Sequence, residues 1–239
     1  RLSIRSDLMV MLAALLLGAC APAAQPPPAG LALFTSLPIL WRESESLADA
    51  LDPQAEPHWA ALVLRGLGEV QTPDALDGLK GDIGLLILAQ PRPLAPAENV
   101  ALDSWVRGGG RVLLFADPLL TAHSHYALGD RRRPEGSALL SPILARWGLE
   151  LVWDEDQPQG PRPVSLFGMA LPVDQAGRFV ADGGNCALLA GGLAARCAVG
   201  KGSVLAIADA ALLDEGVPQD RTQRRIMLQR LVEQAKNPA

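Results

Sequence analysis

The chain has 239 residues, 49% of them hydrophobic and 20% charged, with a formal net charge of −5. That apolar share is enough for a sizeable core and excludes global disorder. A weakly acidic chain without a basic stripe excludes nucleic acid as a partner.

Arg1 and Arg5 precede an uncharged apolar run, Leu8 to Leu17, followed by the small residues Gly18 and Ala19. A basic n-region, a short apolar stretch and small residues form the layout of a secretory signal, here residues 1–19. The run is too short to span a hydrocarbon core of about 30 Å, which needs roughly 20 apolar residues. Leu17-Gly18-Ala19-Cys20 resembles the bacterial lipobox. The resemblance implies that Cys20 is acylated and becomes the mature N-terminus of a lipoprotein. Residues 20–30 are a Pro/Ala tract suited to a semi-extended tether rather than a core. The expected location is the cell envelope, facing the periplasm, with membrane contact through the lipid. Ala21 stands where some bacteria use aspartate to retain lipoproteins at the inner membrane, and a transporter partner favours that membrane, so inner and outer stay open.

Residues 31–239 have the length of a single α/β domain. Leu31 to Ser36 reads as a buried first strand, Ser44 to Leu51 as a short polar-faced helix, Ala60 to Leu64 as another helix and Gly68 to Gln71 as a second strand. Asp82 to Ala89 is apolar almost throughout, the pattern of a parallel strand covered on both faces. A helix then opens with Leu94-Ala95-Pro96-Ala97-Glu98, carries Val100, Leu102, Trp105 and Val106 as its apolar face, and stops at Gly108-Gly109-Gly110. Arg111 to Ala116 is the next buried strand, giving a strand-helix-strand crossover. Thr121 to Gly136, with His123, His125 and Arg131-Arg132-Arg133, reads as an exposed excursion. Leu139 to Trp147 is a helix closed by Gly148, and Leu151 to Trp153 another strand. The proline- and glycine-dense segment 154–177 predicts loops and irregular strands.

Cys186 and Cys197 flank Gly191-Gly192 in a hairpin pattern that sets the two cysteines opposite each other, so a cross-strand disulfide is expected. Such a pair fits an oxidising compartment. Ser203 to Ala208 is the last buried strand. Arg221 to Gln234 is an amphipathic helix with Ile226, Leu228, Leu231 and Val232 on its apolar face. Strands alternating with helices predict an open, mostly parallel, doubly wound sheet with a β-hairpin near its C-terminal part.

Two blocks, Leu94 to Pro118 and Gly200 to Glu215, together with the helix from Arg221, resemble the GldG-like auxiliary proteins of ABC transport systems and related domains with a glutamine-amidotransferase-like fold. The resemblance implies a flavodoxin-like domain outside the cytoplasm that serves a transporter without catalysis of its own. Those auxiliaries typically use transmembrane helices where this chain is expected to carry a lipid anchor.

A catalytic member of such a fold needs a nucleophile on a sharp strand-to-helix turn. No G-x-S-x-G or G-x-C-x-G occurs. Open α/β sheets bind ligands at the carboxyl ends of their strands, and Ser36, Gln90, Asp117 and Asp209 fall there, giving a candidate strand-end pocket. Two readings follow. In one the chain is a non-catalytic accessory or binding domain, with no cofactor or metal. In the other it is a hydrolase, or a metal- or ligand-binding enzyme, in which Asp117 and Asp209 work with His123 and His125. The glycine clusters lack the strand-loop-helix context of a phosphate cradle and read as helix end and turn.

Overall fold

A computed structural model describes residues 30–44, 46, 51–52, 54, 56–79 and 81–238. The expected signal, Cys20 and all but the last residue of the tether lie outside them, as does most of the helix expected over Ser44 to Leu51. The elements run β1 (Gly30–Thr35), α1 (Trp59–Leu67), β2 (Val70–Gln71), β3 (Ile83–Ala89), α2 (Pro96–Arg107), β4 (Arg111–Phe115), α3 (Ser141–Trp147), β5 (Leu149–Trp153), β6 (Arg162–Leu166), β7 (Met169–Val173), β8 (Gly177–Ala181), β9 (Asn185–Leu189), β10 (Ala194–Val199), β11 (Gly202–Ile207) and α4 (Arg221–Lys236).

Seven strands form the main sheet in the order β2-β1-β3-β4-β11-β10-β9. The first five are parallel, and β10 pairs antiparallel with both β11 and β9. All seven residues of β3 are buried, as its unbroken apolar run requires. Alternate strand residues feed two cores. Leu33, Ile87, Leu113 and Phe115 meet α1 and α4 on one face, and Phe34, Leu88, Val112 and Leu114 meet α2 and α3 on the other. Each face of the sheet thus carries two helices. Among the described residues no helix is long and apolar enough to cross a membrane.

The expected β9–β10 hairpin is present, turning through a short 3-10 segment at Ala190–Gly192, and Cys197 pairs with Cys186 in register. The two sulfurs are bonded. The strand expected at Leu151 to Trp153 does form, but it leaves the main sheet and pairs antiparallel with β8. The segment 154–177 supplies a second small sheet, the hairpin β6–β7.

Helix faces differ from the apolar pattern in an instructive way. Val100 and Ile226, expected on buried faces, are 56% and 49% exposed, whereas Glu98, Asp103 and Arg224 are buried. Each buried charge has a dedicated partner set, which is what permits its burial. Glu98 sits in the first turn of α2 and accepts from the Ala95 and Leu76 N–H groups and from the Arg92 guanidinium. Arg92 holds its carboxyl down at about 2. Asp103 accepts from Arg107 and Arg146. Arg224 lies over the Trp59 ring, 4.9 Å from its centroid, and donates to the carbonyls of Leu212, Asp214 and Val217.

The two glycine clusters meet in space. Lys201 N donates to Arg107 O and Ser203 N to Gly110 O, so the turn before β11 abuts the end of α2. A Cβ on Gly202 would stand 2.1 Å from the carbonyl oxygens of Gly110 and Val106. Only glycine allows that approach.

Candidate functional site

The four polar residues expected at the strand ends follow β1, β3, β4 and β11. Gln90, immediately after β3, is fully buried and adopts φ 43°, a left-handed conformation uncommon for a side-chain-bearing residue. Its amide explains the fit. Oε1 accepts from Asp117 N at 2.8 Å, and Nε2 donates to the carbonyls of Asp117 and Glu135 at 3.0 and 2.9 Å. Ser36 Oγ donates to Gln90 O at 2.6 Å and accepts from Glu135 N at 3.0 Å. The excursion after β4 is thereby stitched onto the ends of β1 and β3.

Asp117 and Asp209 are 1% and 2% exposed. Asp117 accepts from the N–H groups of Leu119 and Ala210, and Asp209 from those of Ala211 and Asp174. Every carboxylate oxygen of the pair is turned to the backbone. Burial pushes the Asp117 carboxyl up to about 7 against the pull of its two N–H donors. Burial raises Asp209 as well, with the neighbouring Asp117 adding to it. Burial thus favours the protonated form of both carboxyls, and their backbone bonds tie three loops together.

His123 and His125 do not join these carboxylates. Their rings pack edge to face at 5.2 Å and line a different cavity, of about 340 Å³, with His58, Glu43, Asp214 and Glu215. The His58 ring is committed to the backbone, its Nδ1 accepting from Ala60 N and its Nε2 lying 3.1 Å from Leu213 O. Among the described residues no group of three or more histidine, cysteine or acidic side chains is placed to hold a metal ion.

The excursion is less exposed than its polarity suggests. Glu43 accepts from the Ser124 hydroxyl and the His125 N–H, Pro134 and Ser124 are buried, and Tyr126 packs 6.3 Å from Trp41. Folded back this way, it walls a crevice outside the carboxyl ends of β1 and β2. The crevice, of about 560 Å³, is lined by Thr35, Ser36, Trp41, Thr72, Asp74, Arg92, Arg131, Arg132, Arg133 and Glu135, among others. Of the expected strand-end residues only Ser36 lines it. Arg92 is fixed on its floor by Glu98 and lies 4.9 Å from the centroid of the Phe34 ring. Arg132 pairs with Asp130 and lies over Tyr126. Arg133 spends one N–H group on Tyr126 O. The crevice residues from the loops carried no periodic signal, and Arg131 to Arg133 were legible only as a charge run.

No family model matches the chain, and comparison with curated proteins returns no match. Solved structures do match. The N-terminal domain of mmIFT52 superposes with a TM-score of 0.53 at 13% identity, covering 86% of this chain and 96% of that one. Cytoplasmic Protein STM1381 from Salmonella typhimurium LT2 gives 0.51 at 13% identity, covering 85% and 98%. A catalytic mutant of Gan42B, a GH42 beta-galactosidase from G. stearothermophilus, gives 0.50 at 13% identity, covering 87% of this chain and 30% of that one. The chain spans about a third of the length of the glycosidases it matches. At these identities the likeness is one of fold.

Proposed function

We propose that the chain is a lipid-anchored, non-catalytic binding domain of the cell envelope, facing the periplasm and auxiliary to an ABC transport system. One observation carries the non-catalytic part: the polar groups of Ser36, Gln90, Asp117 and Asp209 are spent on backbone partners that fasten the strand ends. Carboxyls raised by burial toward the neutral range are a property of general acids, which is what the rival hydrolase reading needs. A substrate atom must still reach them, and at 1% and 2% exposure with each oxygen facing an N–H, Asp117 and Asp209 offer no such access.

The order of the five parallel strands, β2-β1-β3-β4-β11, supports a flavodoxin-like or glutamine-amidotransferase-like architecture, because 2-1-3-4-5 is the flavodoxin-like sequence of strands. The Cys186–Cys197 bond supports an exported domain, since disulfides persist outside the reducing cytosol. The lipobox-like ending at Cys20 supplies the anchor, and the GldG-like blocks supply the transporter link.

Cells expressing the wild-type chain should incorporate radiolabelled palmitate into it, and Cys20→Ser should abolish both label and maturation. Unlabelled wild-type protein overturns the anchor. Affinity capture from detergent-solubilised membranes should recover an ATPase and a permease. Recovery of neither, from a domain with a normal far-UV spectrum, overturns the transporter role.

A further inference from the structure

The crevice outside β1 is the place where this topology leaves room for a ligand. The chain passes from β1 to β2 on one side of it, and β3 lies on the other side, so the strand order reverses there. Open α/β sheets take their ligands at such a reversal, outside the carboxyl ends of the strands. A volume of about 560 Å³ suits a small organic molecule.

We infer that this crevice binds a small soluble organic anion, a phosphate or carboxylate carried on a ring, with Arg131 and Arg133 holding the charge and Trp41 taking the ring. The inference rests on the reading of the chain as a binding domain and names what it binds. In a chain of net charge −5, four arginines converge on one cavity. Two of them are already matched, Arg92 by buried Glu98 and Arg132 by Asp130. Arg131 is exposed and makes no hydrogen bond or ion pair with any described residue, and among the described residues the Arg133 guanidinium donates to Tyr126 O alone. Their remaining guanidinium N–H groups have the planar, forked geometry that grips an oxyanion in two places. The Thr72 hydroxyl is exposed on the same wall.

Trp41, 39% exposed, offers an aromatic face at the cavity, backed by Tyr126. An exposed indole beside charged donors suits a ligand with a flat or ring portion next to its charge. Two carboxylates, Asp74 and Glu135, also line the crevice. They repel a polyanion and limit the ligand to one or two negative charges.

The exposed Trp41 indole favours a ring-bearing soluble ligand over an acyclic lipid headgroup. The tether enters at Gly30, the amino end of β1, whereas the crevice lies beyond the carboxyl end of the same strand, roughly 20 Å away for six residues. The ten residues from Cys20 to residue 29 reach at most roughly 35 Å. That reach exceeds the length of the strand, so the tether leaves either end of the sheet free to face the bilayer, and the headgroup arm of the titration separates a soluble anion from a lipid.

The test is calorimetric titration of the full-length chain in detergent with glucose 6-phosphate, glucuronate, uridine monophosphate, neutral glucose and inorganic phosphate, alongside glycerophosphoglycerol, the phosphatidylglycerol headgroup without its acyl chains. At least one ring-bearing anion should bind with Kd below about 1 mM, glucose should not bind, and inorganic phosphate should bind about tenfold more weakly. The double variant Arg131→Ala, Arg133→Ala should lose about tenfold in affinity, and Trp41→Ala should bring the ring-bearing anion down to the level of inorganic phosphate. Should the double variant fold poorly, Arg131→Glu alone, at an exposed side chain without a partner, should weaken binding by at least as much. Binding should also weaken with salt. No binding by any anion, binding indifferent to Arg131 and Arg133, or binding confined to the glycerophosphoglycerol headgroup each overturns the inference. Palmitate labelling and transporter capture read the anchor and the partner independently, so a failure here is distinguishable from a failure there.

Discussion

Replacing Asp117 by asparagine turns the sealed strand ends into a measurement. In the folded chain burial lifts this carboxyl from its ordinary 3.8 to about 7, while the unfolded chain titrates near the ordinary value. Between those two pH values the folded form holds a proton that the unfolded form has released. Wild-type stability therefore falls as pH rises through this window, at about 1.4 kcal/mol per pH unit, and levels off above pH 7. Over about three units the accumulated loss is on the order of 4 kcal/mol. Asparagine removes that slope at a fixed cost and, by taking away a neighbouring charge, also lessens the upward shift of Asp209, which flattens the variant's curve in the same direction. One acceptor survives, but the new amide presents N–H to the N–H of Leu119 or Ala210, which leaves a buried donor unmatched at about 1–3 kcal/mol. His58 titrates in the same range with the opposite sign, because burial lowers it and stability then rises with pH up to its ordinary 6.5. None of the groups that shift His58 is Asp117, so subtracting the variant from the wild type cancels it. Urea unfolding followed by far-UV circular dichroism from pH 4 to pH 8 gives the two curves. The variant should be the less stable protein at pH 4 and the more stable one at pH 8. A difference that stays constant with pH refutes the idea that this carboxyl is buried with its proton.

Further substitutions test the other supports. Glu98→Gln breaks the tie to Arg92 and weakens the bonds to Leu76 and Ala95, so it should cost about 1–3 kcal/mol at pH 7. Since Glu98 is held at about 2, that cost should shrink as pH falls from its ordinary value toward 2, which acid titration of both proteins would show. Gln90→Leu should cost at least about 2 kcal/mol in denaturant unfolding, because it orphans Asp117 N and leaves a strained backbone without its three compensating bonds. Gly202→Ala should lower Tm by several degrees, as its Cβ meets two carbonyl oxygens that cannot move independently, an overpacking cost of about 1–3 kcal/mol. Reducing the Cys186–Cys197 bond, which spans 11 residues, should cost about 3 kcal/mol and roughly 6–12 °C in Tm by calorimetry.

The parts of the fold that showed in the sequence are those where one physical effect dominates. Residues 82–89 had to be buried on both faces because no polar residue interrupts them after Asp82. The hairpin showed because two glycines and two cysteines fixed its register together. What stayed hidden involved partners distant in sequence. Asp103 looks like a solvent-facing helix residue until Arg146, 43 positions away, is seen to close over it. Arg224 reads as a surface cation, yet the carbonyls of a 3-10 turn and the face of Trp59 receive it. Similarly, Gln90 and Asp117 belonged at strand ends on any reading. Nothing local to either one revealed that each had become the other's hydrogen-bond partner.

The segments from Leu94 to Pro118 and from Gly200 to Glu215 form one structural unit. Gly110 and the turn at Gly200-Lys201-Gly202 press against each other so that β4 and β11 can start side by side, and Asp117 with Asp209 close the far ends of the same two strands. Those residues are constrained by the sheet at both its ends. What they supply is architecture. A ligand meets instead Trp41, Thr72 and Arg131 to Arg133, which lie in loops that no strand register constrains. Loops of that kind are free to diverge while the scaffold is kept. Two domains sharing the glycine contact and the buried carboxyl pair can therefore differ in every residue their crevices show to solvent, and for this chain specificity has to be sought in residues 36–44, 72–74 and 119–136, where Trp41, Thr72 and Arg131 to Arg133 stand.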